Sequence, residues 1–407
     1  MNEFIARFRQ PFERAAPWLI AALLVWNFLR GFALYPDPYA LGQYFYTYEG
    51  GFLIRGLKGS LVTWLFGPAP MDMHAAILVL SALEYLLFIA VLLHVFTSLR
   101  ADDPPHRTLI NILFVVLLSG PLMVDIGATR AFHDALILSI GLIAWLDFRA
   151  QRFLRSGLWM LLAILIHEQI VFFILPVMGW WTWLHRDGLR LDHRATMTLI
   201  LLSAATLLVV VLGQANPAQL AILEAKLNAA LQTPYLEQWG HPSKALWAAS
   251  NDVLSNIGLT YLERLRFPGH QIMLLPTLLF WAVAATARWR DTTRRRGRGA
   301  DLAMLAVAML MPHLLYLVAE DVHRYIPYTN LTAFLIALTT LRQHGTAKPL
   351  ADWARALLIV AILGQTATWD YDPAHYNARN STPLLEFLRS TFDPGWVRPS
   401  AVNTPHA

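Results

Sequence analysis

The sequence predicts an all-α membrane protein, a polytopic helix bundle of about nine crossing helices with a re-entrant hairpin and interfacial amphipathic helices. Three observations lead there. Of 407 residues, 56% are hydrophobic and 14% charged, against about 25% charged in a soluble domain. Apolar runs of about 17 to 25 residues, enough to cross a bilayer, recur along the chain. Between them the arginines sit in short clusters, the pattern by which cytoplasmic loops fix orientation. Residues 1–368 are read as the transmembrane domain and 369–407 as an external tail. Gln214–His270 is the longest outer loop.

Helix 1 spans Ala16–Tyr35. The basic residues Arg7, Arg9 and Arg14 before it place the N-terminus inside. The run is longer than the apolar core of a signal peptide and is read as a retained helix. Ser60–Phe66 is too short to cross. Helix 2 (Ala75–Phe96) returns inward, helix 3 (Leu109–Val124) goes out, and helix 4 (Ala135–Phe148) comes back to Arg149, Arg152 and Arg155. The next run, Leu158–Leu184, has basic residues at both ends. A single crossing puts one cluster outside, whereas a helical hairpin or broken pair keeps both inside with His167-Glu168 near its apex; the hairpin is preferred.

Helix 5 (Ala195–Gly213) leads into the outer loop. There Asn216-Pro217 offers an N-cap and first turn, and Leu220, Leu223, Leu227 and Leu231 make one apolar stripe. A second amphipathic helix is expected from Ser243, both lying flat at the interface. Helices 6 (Gln271–Ala287), 7 (Ala300–Val318), 8 (Ile326–Leu341) and 9 (Trp353–Thr368) complete the crossings and put the C-terminus outside. No fixed-period repeat is present, which counts against a transporter of inverted halves.

A net charge of +5, confined to these clusters, gives no basis for nucleic-acid binding, and the absence of cysteine excludes disulfides and thiolate chemistry. The informative charges lie on the predicted outer side. Tyr44–Gly59 packs Glu49, Arg55 and Lys58 among aromatics and four glycines. Its bland alternative is an interfacial segment whose cations meet lipid phosphates. Arg130, His133 and Asp134 sit where helix 4 begins, a position where an acid also serves as a simple cap. His167-Glu168 interrupts an apolar run, and a structural pair is as good a reading there as a functional one. Asp321, Arg324 and Tyr325 open helix 8, where guanidinium suits a phosphate fork; an ordinary solvated turn is the alternative. Ionisable groups at a membrane edge cost about 2.5–3.5 kcal/mol each on insertion scales, so their collection on one side is the main functional signal. Oxygen and imidazole ligands leave a divalent cation possible, but no spacing is diagnostic and the metal stays unknown.

This arrangement resembles the GT-C class of integral-membrane glycosyltransferases, with an acid in the first outer loop (Glu49, or Asp37), a long outer loop and membrane-parallel helices. Bacterial polysaccharide polymerases acting on lipid-linked sugars look similar. The resemblance covers architecture across much of the chain, and the paired-acid signature usual in the class is missing. It implies a bacterial inner-membrane enzyme whose partners are a polyprenyl-phosphate-linked sugar and membrane lipids, working at the external face. On that reading Glu49, Asp134 and Glu168 are the catalytic candidates, Glu49 first as general base. Arg55, Lys58, Arg130, His133, His167, Asp321, Arg324 and Tyr325 would bind substrate. A transporter or flippase is the alternative from another class.

Overall fold

The computed structural model describes residues 2–33, 42–67, 70–102, 107–120, 122–128, 132–186, 193–231, 273–290, 298–317 and 322–343. Arg130, Asp321, Asp37, the helices expected from Ser243 and at Trp353–Thr368, and the tail lie outside these residues.

Among the described residues every element is helical. In chain order they are α1 (Asn2–Ala33), α2 (Gly56–Phe66), α3 (Pro70–Asp102), α4 (Arg107–Ser119), α5 (Leu122–Ala128), α6 (Asp134–Arg149), α7 (Phe153–Ile166), α8 (Ile170–His185), α9 (His193–Leu212), α10 (Pro217–Leu231), α11 (Leu275–Arg290), α12 (Arg298–Leu310) and α13 (Val322–Gln343). The single expected helix Leu109–Val124 is instead two, α4 and α5, divided where the sequence reads Gly120-Pro121, a pair that cannot continue the helical ladder. Likewise α12 passes into a 3-10 turn, Met311–Leu317, at Pro312.

Among the described residues three stretches are long and apolar enough to cross a membrane: Ala76–Ala101, His193–Leu212 and Gly299–Leu317. Only 17% of the α9 window is buried, and Ile200, Leu201, Leu207, Leu208 and Val211 stand exposed on it. In water such a surface would be costly; against lipid tails it is not.

The core is formed where α6 packs along α7 and α3, α13 along α11 and α8, and α1 along α4 and α5. In α6, Gly141 makes the approach to α8 possible, since a Cβ there would come within 2.7 Å of Ile174. Helices α7 and α8 run out and back. Arg152 and Arg155, at the start of α7, line the same cavity as Trp181 and His185, at the end of α8. The break between them, His167–Gln169, reaches residues at the opposite end of the bundle.

Near that end, α10 closes over the aromatic loop. Its N-terminus is a reciprocal capping box: Gln219 N–H donates to Asn216 Oδ1, and Asn216 N–H to Gln219 Oε1, both at 2.9 Å. Leu223 and Leu227 from the apolar stripe bury against Tyr44, Phe45, Tyr46 and Leu53. The Gln219 amide also donates to Phe52 O at 3.1 Å, locking helix to loop.

Candidate functional site

The site grows from the loop into the bundle. Gly59 lies so close to the segment before it that a Cβ would collide with the carbonyl oxygens of Tyr44 and Tyr46. This contact sets Lys58 over the Tyr44 ring, 4.6 Å from its centroid. Lys58 Nζ pairs with Glu84 Oε2 at 2.6 Å. Glu84 belongs to α3, inside its apolar stretch, and both side chains are nearly buried.

Arg55 precedes α2 with a left-handed backbone, φ 65°. Its Nη2 and Nε donate to the two oxygens of Glu168 at 2.5 and 3.2 Å. Glu168 Oε2 also lies 3.3 Å from His167 Nδ1. The adjacent Gln169 turns the other way, its amide donating to Asp134 Oδ1 at 3.0 Å. Asp134, fully buried at the start of α6, receives a bidentate fork from Arg324 at 2.6 and 2.7 Å. Arg324 in turn stacks over Phe132 and near Tyr325.

His133 sits at the centre. It too is left-handed, φ 72°, and fully buried. Its ring meets Tyr44 edge-on at 5.0 Å. Neither ring nitrogen has a hydrogen-bond partner among the described residues. Burial pushes its pKa well below 6.5, and the charges of Lys58, His167, Arg324 and Arg55 push further the same way. His167 is also lowered, by burial first and then Arg55. Burial alone would raise the Glu168 carboxyl; Arg55 and His167 outweigh it and hold it well below the usual range. The site therefore sets three cation–carboxylate contacts, Arg55–Glu168, Lys58–Glu84 and Arg324–Asp134, around two imidazoles whose protonation burial disfavours. Left-handed non-glycine residues cost of order 1–3 kcal/mol and gather where function demands them; two of the three in the described chain, Arg55 and His133, are here.

Four helices, α2, α6, α8 and α13, begin at this cluster. Their N-terminal dipole ends favour carboxylates and other anions.

Of the residues expected from sequence, the structure gathers Arg55, Lys58, His133, Asp134, His167, Glu168, Arg324 and Tyr325. Glu49 is placed differently. Its side chain is 60% exposed and pairs at 2.6 Å with Lys226 of α10, which also donates to Thr47 Oγ1. Gln169 and Lys226 were not legible in the sequence: one is a neutral amide and the other a lone lysine on an amphipathic helix, and neither spacing points to its partner. Glu84 was visible as a carboxylate in an apolar helix, but nothing local names Lys58 as its partner. No group of three or more His, Asp or Glu side chains among the described residues is disposed to hold a metal ion.

Among the described residues, fold and site together define a helical bundle with membrane-length apolar helices and a buried ionisable cluster at one end. Comparison with known protein families, with curated proteins and with solved structures gives no match.

Proposed function

We propose that the protein is a membrane-embedded glycosyltransferase that takes its sugar from a polyprenyl-phosphate carrier at the end of the bundle bearing the aromatic loop. The observation that carries this is the gathering of Arg55, Lys58 and Arg324 with four helix N-termini beneath a loop rich in tyrosine. That is the electrostatic setting a departing lipid phosphate needs, and the tyrosines offer faces for a sugar.

In the reaction the acceptor hydroxyl oxygen attacks the anomeric carbon and the bond from that carbon to the phosphate oxygen breaks. The electron pair leaves on the lipid phosphate, and the acceptor proton passes to a base. Glu49 suits that role because its carboxylate is exposed. Asp134 and Glu168 are held by arginine forks, and in this scheme they position Arg324 and Arg55 for the phosphate rather than take a proton. On this reading the protein sits in the inner membrane, with the site external and the N-terminus cytoplasmic, as the arginine clusters between the apolar runs suggest. A lipid-linked oligosaccharide polymerase would use the same chemistry.

A transporter is the second reading, favoured by one observation: the Lys58–Glu84 pair lies against an apolar, membrane-length stretch, where exchangeable ion pairs serve substrate or proton passage. Protein in lipid nanodiscs, supplied with polyprenyl-phosphate sugars and a hydroxyl acceptor, distinguishes the two. Sugar transfer supports the enzyme. No transfer with any such donor, together with substrate flux in proteoliposomes, overturns it.

A further inference from the structure

The charged members of the cluster all have partners, but two of its buried side chains carry polar atoms that do not. The Tyr44 hydroxyl and both ring nitrogens of His133 make no hydrogen bond among the described residues, although both side chains are fully buried. The two rings meet edge-on, with centroids 5.0 Å apart. His133 also feels the charges of Lys58, Arg324 and Arg55. The proposed chemistry uses neither the Tyr44 hydroxyl nor His133.

Structural roles account for these residues poorly. His133 stands at the N-cap of α6, yet its side chain makes no cap. Its φ of 72° is one that glycine or asparagine takes more easily. Phenylalanine at position 44 would keep the ring contact with His133 and a face for the Lys58 ammonium. It would do so without burying an unmet hydroxyl, which is costly.

The chemistry of these atoms does not match a phosphate. Arg55, Lys58 and Arg324 suit an anion. An imidazole whose protonation is disfavoured offers one donor and one acceptor, and a phenol gives and takes in the same way. Their complement is a hydroxyl group. The layer over Tyr44 is moreover separable from the bundle. Tyr44 and Phe132, the neighbour of His133, pack with Leu223 and Leu227 of α10 in a small core distinct from the main one. Lifting α10 takes one wall from Tyr44 and leaves the main core closed.

We propose that Tyr44 and His133 recognise hydroxyl groups of the sugar, with α10 as the cover that admits it. This rests on the glycosyltransferase reading and adds to it the groups that select the sugar rather than the phosphate. A bound water has the same hydroxyl chemistry, and the experiment separates the two.

The test uses the full chain in lipid nanodiscs and reads affinity and melting temperature together. The probes are undecaprenyl phosphate carrying a hexose or a pentose, and undecaprenyl methyl phosphate, which has the same single charge and no sugar. Tyr44→Phe removes a hydroxyl and nothing else. His133→Gly removes both nitrogens and accepts the left-handed backbone; should it fail to accumulate, Tyr44→Phe decides alone. The wild type is expected to bind a sugar-bearing lipid more tightly than the methyl ester. Each variant should narrow that preference by about three- to tenfold and leave binding of the methyl ester as it was. An undiminished preference overturns this assignment and leaves the enzyme standing. A lowered melting temperature with equal loss for both kinds of lipid marks a bound water or a structural role, and also overturns it. A wild type with no preference for any sugar-bearing lipid overturns it together with the glycosyltransferase reading.

Discussion

Arg324 and Asp134, 190 residues apart, form a bidentate pair with neither side chain more than 4% exposed. It joins the N-terminus of α13 to that of α6. Buried pairs add little net stability when compared with apolar packing, but removing one partner strands a charge, at a cost of about 3–5 kcal/mol. Arg324→Leu is therefore expected to lower the thermal midpoint sharply or abolish accumulation in the membrane. Asp134→Asn with Arg324→Gln should cost clearly less than the sum of the single changes, because neither charge is then left alone. Additive losses in detergent-solubilised protein would show that the two side chains do not depend on each other.

Glu49 and Arg55 should separate by phenotype. Glu49→Gln removes an exposed surface pair with Lys226, worth about 0–1 kcal/mol, so folding should be retained. On the proposed chemistry transfer should fall by about 10²–10⁴-fold. Arg55→Ala strands Glu168 and should harm both donor binding and thermal stability. Melting curves run beside the transfer assay decide it; an active Glu49→Gln moves the base elsewhere.

His133 and His167 make stability depend on pH in a definite direction. Both are held below 6.5 in the folded chain, so the unfolded chain binds protons there that the native state refuses. Stability is complete above about pH 6.5 and declines as pH falls below it. His133→Asn keeps a side chain that accepts the left-handed backbone and removes one titrating group. Its melting temperature should fall less steeply between pH 7 and 5 than that of the wild type. Parallel slopes would remove His133 from the explanation.

Gly59→Ala should be among the most damaging small changes in the loop. The added methyl meets main-chain oxygens of Tyr44 and Tyr46, which cannot rotate away as a side chain can. Overpacking of this kind costs typically about 1–3 kcal/mol, and it should also shift Lys58 from Glu84. Gly67→Ala, where a Cβ meets nothing but φ is 86°, is the control for backbone strain alone. Equal stability of the two variants would mean that steric contact at Gly59 is unimportant.

The helical class was readable from the apolar runs, and the expected Ala135–Phe148 and Ala195–Gly213 came within two residues of α6 and α9. By contrast, α1 and α3 run well beyond their apolar cores, because polar residues continue the helix past the apolar stretch. The N-cap at Asn216 was readable because capping is local, whereas its reciprocal partner Gln219, three residues on, emerged only from the structure. Which charges would meet was not readable. Arg55 finds Glu168 across 113 residues and Lys58 finds Glu84 across 26, and those distances in sequence carry no pattern. His167-Glu168 stood out as ionisable groups in an apolar run, whereas its neighbour Gln169, neutral and unremarkable in composition, makes the link to Asp134. Gly120-Pro121 marked the break between α4 and α5, yet the length of the apolar run concealed it.

The three-residue break between α7 and α8 carries a constraint on chain length. Glu168 and Gln169 are neighbours that address different partners, Arg55 on one side and Asp134 on the other. Beyond them α8 presents Phe173 O to Thr332 and Trp180 to Thr340. Losing one residue here would turn everything downstream by about 100° about the helix axis, exchanging those faces for others. Substitution in this segment can be absorbed one contact at a time, but insertion or deletion cannot. Among diverged copies of this chain the break should vary in letters and hold its count.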